Sequence, residues 1–301
     1  MIRIRTNASC LSTILCGFIV FASPAAPAQE DAAAAEKQAM TAKGLQYVTA
    51  WELYLALKEE ANGGQTLTWT TLPDWSGVFT RTRGGLNFDP DQPADSLPTA
   101  KLTPEYHAAM MHRIELTEQG HQFDPLGTCV SPGHPRWLNL PSFREHIVTP
   151  DQTTMITEVF NSVRRIYTDG RDHLPEEEQY PIHNGDSIGF WDGHRLVVHT
   201  NQLMAHYYER VQPDYSEQVE TVEIWEKVDD NTLEVDVWVY DPPSLVEPWY
   251  TKQSYSKLND PNKILRLGHY DCKGNPNSDT YETEEGGTQF TDLTFTEVDD
   301  N

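Results

Sequence analysis

The sequence predicts a mainly β protein, an antiparallel meander that closes into a lipocalin-like (calycin-like) barrel preceded by N-terminal helices. From residue 142 onward, short β-rich runs follow one another with turn residues between them. Short links between successive strands imply antiparallel pairing. Closure into a barrel would remove the exposed strand edges of an open sheet. A two-sheet β-sandwich is the alternative, because hairpin patterns do not reveal closure.

Four hairpins and one further strand make up the predicted meander. The second hairpin turns on Asp192-Gly193, a strong tight-turn dipeptide. The strand 163–168 ends at Asp169-Gly170, where an acidic loop begins. The paired strands are predicted at 143–149 with 153–160, 190–191 with 194–200, 219–228 with 232–241, and 249–258 with 263–272.

The chain divides into four predicted regions. Residues 1–28 are expected to be a signal peptide, because Arg3 and Arg5 precede an apolar run and Ala26-Pro27-Ala28 offers small residues for cleavage. The expected location is therefore periplasmic or secreted. The other regions are a helical N-terminal part with one short strand (29–140), the antiparallel β domain (141–273) and an acidic tail (274–301).

Two helical segments are predicted in the N-terminal region. In the first, which ends near Gly63-Gly64, the residues Leu45, Val48, Trp51 and Leu55 form one apolar stripe. In the second, Thr103 can cap the helix, Pro104 suits its first turn, and the helix is expected to end near Glu118. The strand between them is predicted at 77–82.

The formal net charge of −24 disfavours nucleic acid and anionic membranes as partners, because long-range repulsion opposes their approach. A small-molecule ligand is the expected partner, and the sequence leaves open whether the protein forms a homo-oligomer. No cofactor is expected, because no glycine-rich loop of the phosphate-binding or dinucleotide-binding kind lies between a strand and a helix.

Cleavage of the signal peptide would remove two of the four cysteines and leave Cys129 and Cys272. A disulfide between them is expected in an oxidising compartment. The alternative is two buried free thiols.

Strand alternation sorts the third hairpin into two faces. Leu233, Val235, Val237 and Val239 share one face and are expected to pack under helices. The opposite, mixed face carries acids and aromatic rings, which would form the wall of a ligand cavity in a barrel. The predicted substrate-binding residues are Trp225, Trp238, Glu223, Asp236 and Trp191. Cross-strand packing of the two tryptophans without a ligand is the simpler alternative.

Acid and base catalysis is the enzyme hypothesis that requires the fewest specific residues and no sequence motif. A histidine, a carboxylate and an arginine in one cavity can move a proton and stabilise an oxyanion. Such a lyase, isomerase or hydrolase would act on a small organic or aromatic substrate. The predicted catalytic residues are His199, Asp169, Arg165, Arg171, Tyr167 and His173. A structural ion-pair network of Arg165, Asp169 and Arg171 is the alternative, and a non-catalytic ligand carrier is the alternative function.

A metal-dependent enzyme is the third hypothesis, because five histidines fall between His173 and His206. Their spacing matches no zinc motif, so the expected site holds no metal, with His183, His199 and Asp186 as the alternative ligand set. Serine nucleophile chemistry is not supported, because the residues around Ser187 lack the strand-turn-helix context of a nucleophile elbow.

Several motifs together resemble a family of exported, largely uncharacterised proteins of Gram-negative bacteria. They are Leu102-Thr-Pro-Glu-Tyr106, Cys129-Val-Ser-Pro-Gly-His-Pro-Arg136, Arg164-Arg-Ile-Tyr-Thr-Asp-Gly-Arg-Asp-His173, Gly185-Asp-Ser-Ile-Gly-Phe-Trp-Asp-Gly193, Leu196-Val-Val198 and Tyr270-Asp-Cys272. The similarity spans roughly residues 74–272.

The resemblance implies that both remaining cysteines, and Arg165, Asp169, Arg171 and His173, belong to a shared pattern. The family's middle motif reads G-H-S-I-G-x-W-E-G-D-T-L-V-V-D-T. This chain departs from it, with Asp186, Asp192, His194, Arg195 and His199 at the corresponding places. These exchanges imply altered chemistry or substrate if the motif forms a site.

Overall fold

The chain folds into a closed β-barrel of nine strands. This computed structural model describes residues 26–84, 100–121, 123–208, 213–259, 265–268, 280–282, 284 and 288–290. Most of the expected signal peptide and Cys272 lie outside these residues. Cys129 takes part in a disulfide, but its pairing with Cys272 stays a prediction.

Thirteen strands are present in the described residues, and nine of them form the barrel in the order β1, β11, β10, β9, β6, β5, β4, β3, β2. Their bounds are β1 Val78–Gly84, β2 Arg144–Val148, β3 Gln152–Thr157, β4 Ser162–Tyr167, β5 Asp186–Asp192, β6 Arg195–Asn201, β7 His206–Tyr207, β8 Asp214–Tyr215, β9 Glu220–Asp229, β10 Thr232–Tyr240, β11 Trp249–Lys257, β12 Thr280–Glu282 and β13 Thr288–Phe290. Two separate two-stranded sheets pair β7 with β8 and β12 with β13.

The predicted closed barrel is confirmed, and the sandwich alternative is wrong. Two details differ from the prediction. β1 corresponds to the short strand predicted at 77–82, but it pairs with both β11 and β2 and therefore belongs to the barrel, which was predicted to begin only at residue 141. β1 pairs with β11 at residues 253–257, where the predicted fourth hairpin would have paired, and the described residues 265–268 of that hairpin's second strand are not in a strand.

One seam interrupts the meander. β4 and β5 run parallel and share only the pairs Ile166 with Ser187 and Tyr167 with Ile188. A parallel pair needs a long connection, and residues 168–185 supply it; this segment is called the crossover loop below. β4 pairs with β3 along one edge. On the other edge, the first half of β4 lies beside the end of the crossover loop, where Asn184 contacts Ser162 and Val163.

Among the residues that the structure describes, four α-helices accompany the barrel: α1 Ala26–Gly44, α2 Ala50–Glu60, α3 Pro104–Glu118 and α4 Arg136–Asn139. The bounds of α3 agree with the prediction. No helix within the described ranges is long and apolar enough to cross a membrane.

The predicted apolar stripe of the first helical segment is wrong. α2 begins at Ala50, where Thr49 and Glu52 form a capping box. Leu45 and Val48 precede this cap, and Val48 is 82% exposed. The buried face of α2 consists of Ala50, Leu53, Tyr54 and Leu57.

The barrel wall separates two apolar clusters. The interior cluster contains Trp75, Trp191 and Trp225 with the aliphatic residues of β10. The outer cluster joins α2 to the opposite faces of β5, β6, β9 and β10. Large side chains therefore fill the barrel interior, and helices cover part of its outer wall.

Candidate functional site

A pocket of about 280 Å³ opens where β4, the start of β5 and the crossover loop meet. We call it the seam pocket. Six of the residues that line it carry the site: Arg164, Arg165, Tyr167, Asn184, Asp186 and Ser187. Because side chains alternate along β4 and β5, the pocket contacts groups from both faces of the barrel wall.

An inner network centres on Arg164 and Glu223, both buried in the barrel. The guanidinium donates to the two carboxylate oxygens at 2.9 and 2.6 Å. It also donates to Thr200 Oγ1 at 2.6 Å and to Ser187 Oγ at 3.2 Å. The indole of Trp225 donates to Glu223 at 2.8 Å. A buried pair with this many additional hydrogen bonds holds its charges in one geometry.

His134 extends the inner network. Its Nε2 lies 2.8 Å from Thr221 Oγ1 and 3.3 Å from Glu223. Trp137 Nε1 can only donate, and it donates to His134 Nδ1 at 3.0 Å. The ring proton of the neutral imidazole is therefore on Nε2.

The electrostatics of the inner network follow from burial and charge. Burial alone would raise the pKa of Glu223, but Arg164 beside it holds that pKa well below its ordinary value. Burial, with Arg164 nearby, lowers the pKa of His134 to about 4. Near neutral pH the network thus holds an ionised carboxylate, a guanidinium and a neutral imidazole.

An outer chain of four hydrogen-bonding side chains runs along the opposite face of the wall. Asp186 Oδ2 lies 2.7 Å from His173 Nδ1, and His173 Nε2 lies 2.7 Å from His199 Nδ1. His199 Nε2 lies 3.2 Å from Glu220. Asp186 lines the seam pocket, whereas Glu220 is 34% exposed. The outer chain therefore connects the pocket to the surface.

Helix α2 covers the two imidazoles of the outer chain. The ring of Trp51 lies 5.8 Å from the ring of His173 and 5.2 Å from that of His199, and Tyr54 lies 5.6 Å from His199. Burial lowers the pKa of His199. Burial would raise the pKa of Asp186, but the hydrogen bonds from His173 and the Leu174 amide lower it overall.

The six predicted catalytic residues lie at or beside the seam pocket. Arg165, Tyr167 and Arg171 line it, and His173 and His199 belong to the outer chain. The Asp169 carboxylate accepts three hydrogen bonds from the Arg171 guanidinium, which lower its pKa. Arg171 also stacks on Tyr167 at 4.0 Å. Asp169 and Arg171 thus form the ion pair of the structural alternative, while Arg165 stays outside it.

The prediction that Trp225 and Trp238 line one ligand cavity is wrong. Trp225, Glu223 and Trp191 face the barrel interior. Trp238 lies on the outer wall, where its indole donates to Met40 O at 2.9 Å. Asp236, on the same face, accepts from Tyr250 at 2.6 Å.

The faces of β10 are reversed relative to the prediction. Its aliphatic face lies in the apolar cluster of the closed interior, and the mixed face lies under α1. The end of α1 supplies backbone carbonyls there, including Gly44 O, which accepts from Tyr240 at 2.8 Å.

The alternative metal set is not assembled. No group of three or more His, Cys, Asp or Glu side chains in the described part of the chain could hold a metal ion. Asp186 and His199 are joined through His173 rather than by a shared ion, and the backbone of His183 binds the amide of His134. His194 pairs with Glu226 at the surface.

Sequence reasoning missed Arg164, Asn184, Ser187 and Glu220. Strand alternation could have identified Arg164, because it lies two residues before Ile166 in β4 and therefore on the same face, which is buried. Asn184 lies in the crossover loop, and Glu220 begins β9; neither position follows from local pattern, because both contacts depend on how the barrel closes.

A larger groove, of about 720 Å³, lies between α3 and the pair β7 and β8. Its carboxylates come from Glu105, Asp214 and Glu217. Asp214 accepts a hydrogen bond from Arg113 at 2.7 Å, and Arg113 stacks on Tyr207 at 4.3 Å. The seam pocket contacts two hydrogen-bonded networks, so it is the candidate site despite its smaller volume.

Comparison with known proteins adds no family. No protein-family profile matches the chain, and no curated protein matches its sequence. Among solved structures, a point mutant of the fluorescent protein UnaG has a TM-score of 0.29 and 11% identity, covering 62% of this chain and 97% of its own. Human cRBP IV has a TM-score of 0.28 and 10% identity, covering 62% and 99%.

Proposed function

We propose that the protein binds a small organic molecule in the seam pocket and that Asp186 exchanges a proton with it. The observation that carries this proposal is the position of Asp186, which lines the pocket and is hydrogen-bonded to His173. The proposal also places the protein in the periplasm, in keeping with the predicted signal peptide.

Two groups in the pocket are suited to hold a ligand's polar atoms. Within the described part of the chain, the exposed guanidinium of Arg165 makes no ion pair, so it is free to bind an anionic group. Asn184 Nδ2 donates to Ser162 Oγ and Val163 O, which fixes the orientation of the amide. Asn184 Oδ1 is then a buried acceptor without a donor among the described residues, and a ligand hydroxyl or N–H can supply one.

Aromatic surface completes the pocket. Tyr167 and the largely exposed Tyr180 both line it. A ring with a carboxylate would therefore find a stacking surface, a guanidinium and a carboxylate base within one pocket. This arrangement favours an aromatic acid as the ligand.

The chemistry follows from the protonation state of Asp186. Because its pKa is lowered, it is ionised near neutral pH and can accept a proton from the ligand. Arg165 would stabilise the negative charge that develops on an oxygen of the ligand. Proton removal begins both elimination and isomerisation, so a lyase or isomerase is favoured. A carrier would use the same pocket without turnover.

Calorimetric titration with benzoate and its hydroxylated derivatives tests the proposal. The expected result is binding to the wild type and binding about tenfold or more weaker to Arg165→Ala, since a charge-assisted hydrogen bond contributes at least about 1.5 kcal/mol. Arg195→Ala is the matched control, because Arg195 pairs with Asp192 at a surface turn. Absence of binding to the wild type, or equal affinity in Arg165→Ala, would refute the proposal.

A further inference from the structure

The outer chain has more hydrogen-bonding contacts than two neutral imidazoles have protons to fill. It contains three close contacts between nitrogen or carboxylate oxygen atoms, at 2.7, 2.7 and 3.2 Å. Each hydrogen bond needs one proton, and carboxylates contribute none when ionised. When both imidazoles are neutral, they supply only two protons. One contact therefore lacks a proton until a third proton enters the chain.

We propose that Asp186, His173, His199 and Glu220 form a proton relay, which stores the proton removed from the ligand at Glu220 and later returns it. This inference rests on the proposed function, in which Asp186 is the base of the seam pocket. It adds a role for Glu220 as the outer end of the relay and for the two histidines as its carriers.

The transfer can be written with every proton accounted for. Transfer starts from the tautomeric pattern in which His173 donates from Nε2 to His199 Nδ1 and His199 donates from Nε2 to Glu220. A proton from the ligand binds Asp186 and passes to His173 Nδ1. The Nε2 proton of His173 moves to His199, and the Nε2 proton of His199 moves to Glu220. The reverse sequence restores the proton to the ligand, as an isomerisation requires.

The surroundings keep this path separate from other acids and bases. Trp51 and Tyr54 of α2 pack on the imidazoles. Tyr54 is the titratable group that α2 places against His199, and burial, with Asp172 of the crossover loop, raises its pKa. Tyr54 therefore stays protonated, and the path is left to the four members of the outer chain.

The two ends of the relay favour different tautomers of the two imidazoles. An ionised Asp186 favours a proton on Nδ1 of His173, whereas an ionised Glu220 favours protons on Nε2 of both rings. The free wild-type protein is expected to show a mixture of the two tautomeric patterns. Removal of the charge at one end should therefore change the tautomer of the imidazole at the far end.

Nitrogen-15 NMR of histidine-labelled, ligand-free, full-length protein tests this. Glu220→Gln should move His173 toward the Nδ1-protonated tautomer, although Glu220 contacts only His199. Asp186→Asn should move both His173 and His199 toward the Nε2-protonated tautomer. The matched control is Glu226→Gln, because Glu226 forms an isolated pair with His194 at 2.7 Å on the same strand as Glu220; it should change His194 alone.

The outcomes separate the two proposals. If each end substitution alters only the adjacent imidazole, the relay is refuted, whatever benzoate does. If the coupled change of tautomer is seen but no aromatic acid binds, the relay stands as a property of the protein and the proposed function fails. Two substitutions at opposite ends keep the test decisive when one variant folds poorly.

Discussion

Asp186 and Ser187 are adjacent in β5, yet their side chains lie on opposite faces of the barrel wall. Ser187 accepts a hydrogen bond from Arg164 in the interior, and Asp186 binds His173 on the outer wall. Alternation along a strand produces this division. Because β4 and β5 share only two residue pairs, the wall is open beside both residues, and one small pocket contacts both networks.

The inner network should be sensitive to loss of one charge. Glu223→Gln leaves Arg164 buried without its counter-ion, and we expect a loss of about 3–5 kcal/mol in the free energy of unfolding. Urea unfolding measures this loss. Glu226→Gln, at an exposed pair with His194, should change it by less than about 1 kcal/mol. Equal losses in the two variants would contradict the assigned role of Arg164 and Glu223.

Stability should fall as the pH falls below about 6.5. Burial lowers the pKa of His134 to about 4 and that of His146 to about 3. The unfolded chain therefore binds protons more readily than the folded chain as the pH drops, which favours unfolding. For His134 alone, the full effect is about 3 kcal/mol. The depressed pKa of Glu223 acts in the same direction below its ordinary value.

Urea unfolding at about pH 7.5 and about pH 5 measures this dependence. His112→Gln is the control, because His112 is 67% exposed, and it should keep the wild-type loss. His134→Gln should lose less stability on acidification than the wild type does. A wild-type protein equally stable at both values would contradict the buried, neutral state of these histidines.

The packing of α1 on the barrel wall should tolerate no added carbon at Gly44. A Cβ there would lie 2.6 Å from Trp238 Cδ1, and Trp238 is fully buried. We expect Gly44→Ala to lower the free energy of unfolding by about 1–3 kcal/mol. Gly127→Ala has no heavy atom within 4 Å of the new Cβ and should be nearly neutral. An unchanged free energy of unfolding in both variants would show that α1 does not pack closely on Trp238.

Helix α2 should set the pKa of His199. Trp51→Ala removes a ring that lies 5.2 Å from His199 and lets water reach the imidazole. Because burial lowers the pKa of His199, this substitution should raise it toward its ordinary value, as measured by NMR titration. Trp69→Ala, at a side chain that is 74% exposed, should leave it unchanged. An unchanged pKa in Trp51→Ala would mean that α2 does not shield the outer chain.

Most barrel strands and α3 were predictable from the sequence because their signals are local, whereas the strand predicted at 263–272 is not one over its described residues 265–268. Alternation, turn dipeptides such as Asp192-Gly193 and the proline at position 104 each act within a few residues. The faces of β10 were not predictable, since either face can be buried: one by the barrel interior and the other by helices. The indole N–H of Trp238 donates to a backbone carbonyl of α1, and no local sequence pattern reveals this contact.

The candidate site was predictable in part. Arg165, Tyr167 and His173 were recognised by residue type near a strand end, and they lie together because the crossover loop folds back beside β4. The role of Glu220 was not predictable, because it lies on β9, and its contact with His199 depends on the pairing of β6 with β9.

The central claim is that the ligand binds at the seam rather than inside the barrel. A crystal structure of the protein with benzoate tests it most directly. We predict density in the seam pocket, with the carboxylate on Arg165 and the ring against Tyr167. Density among Trp191 and Trp225 in the barrel interior, or in the groove beside Asp214, would contradict the account.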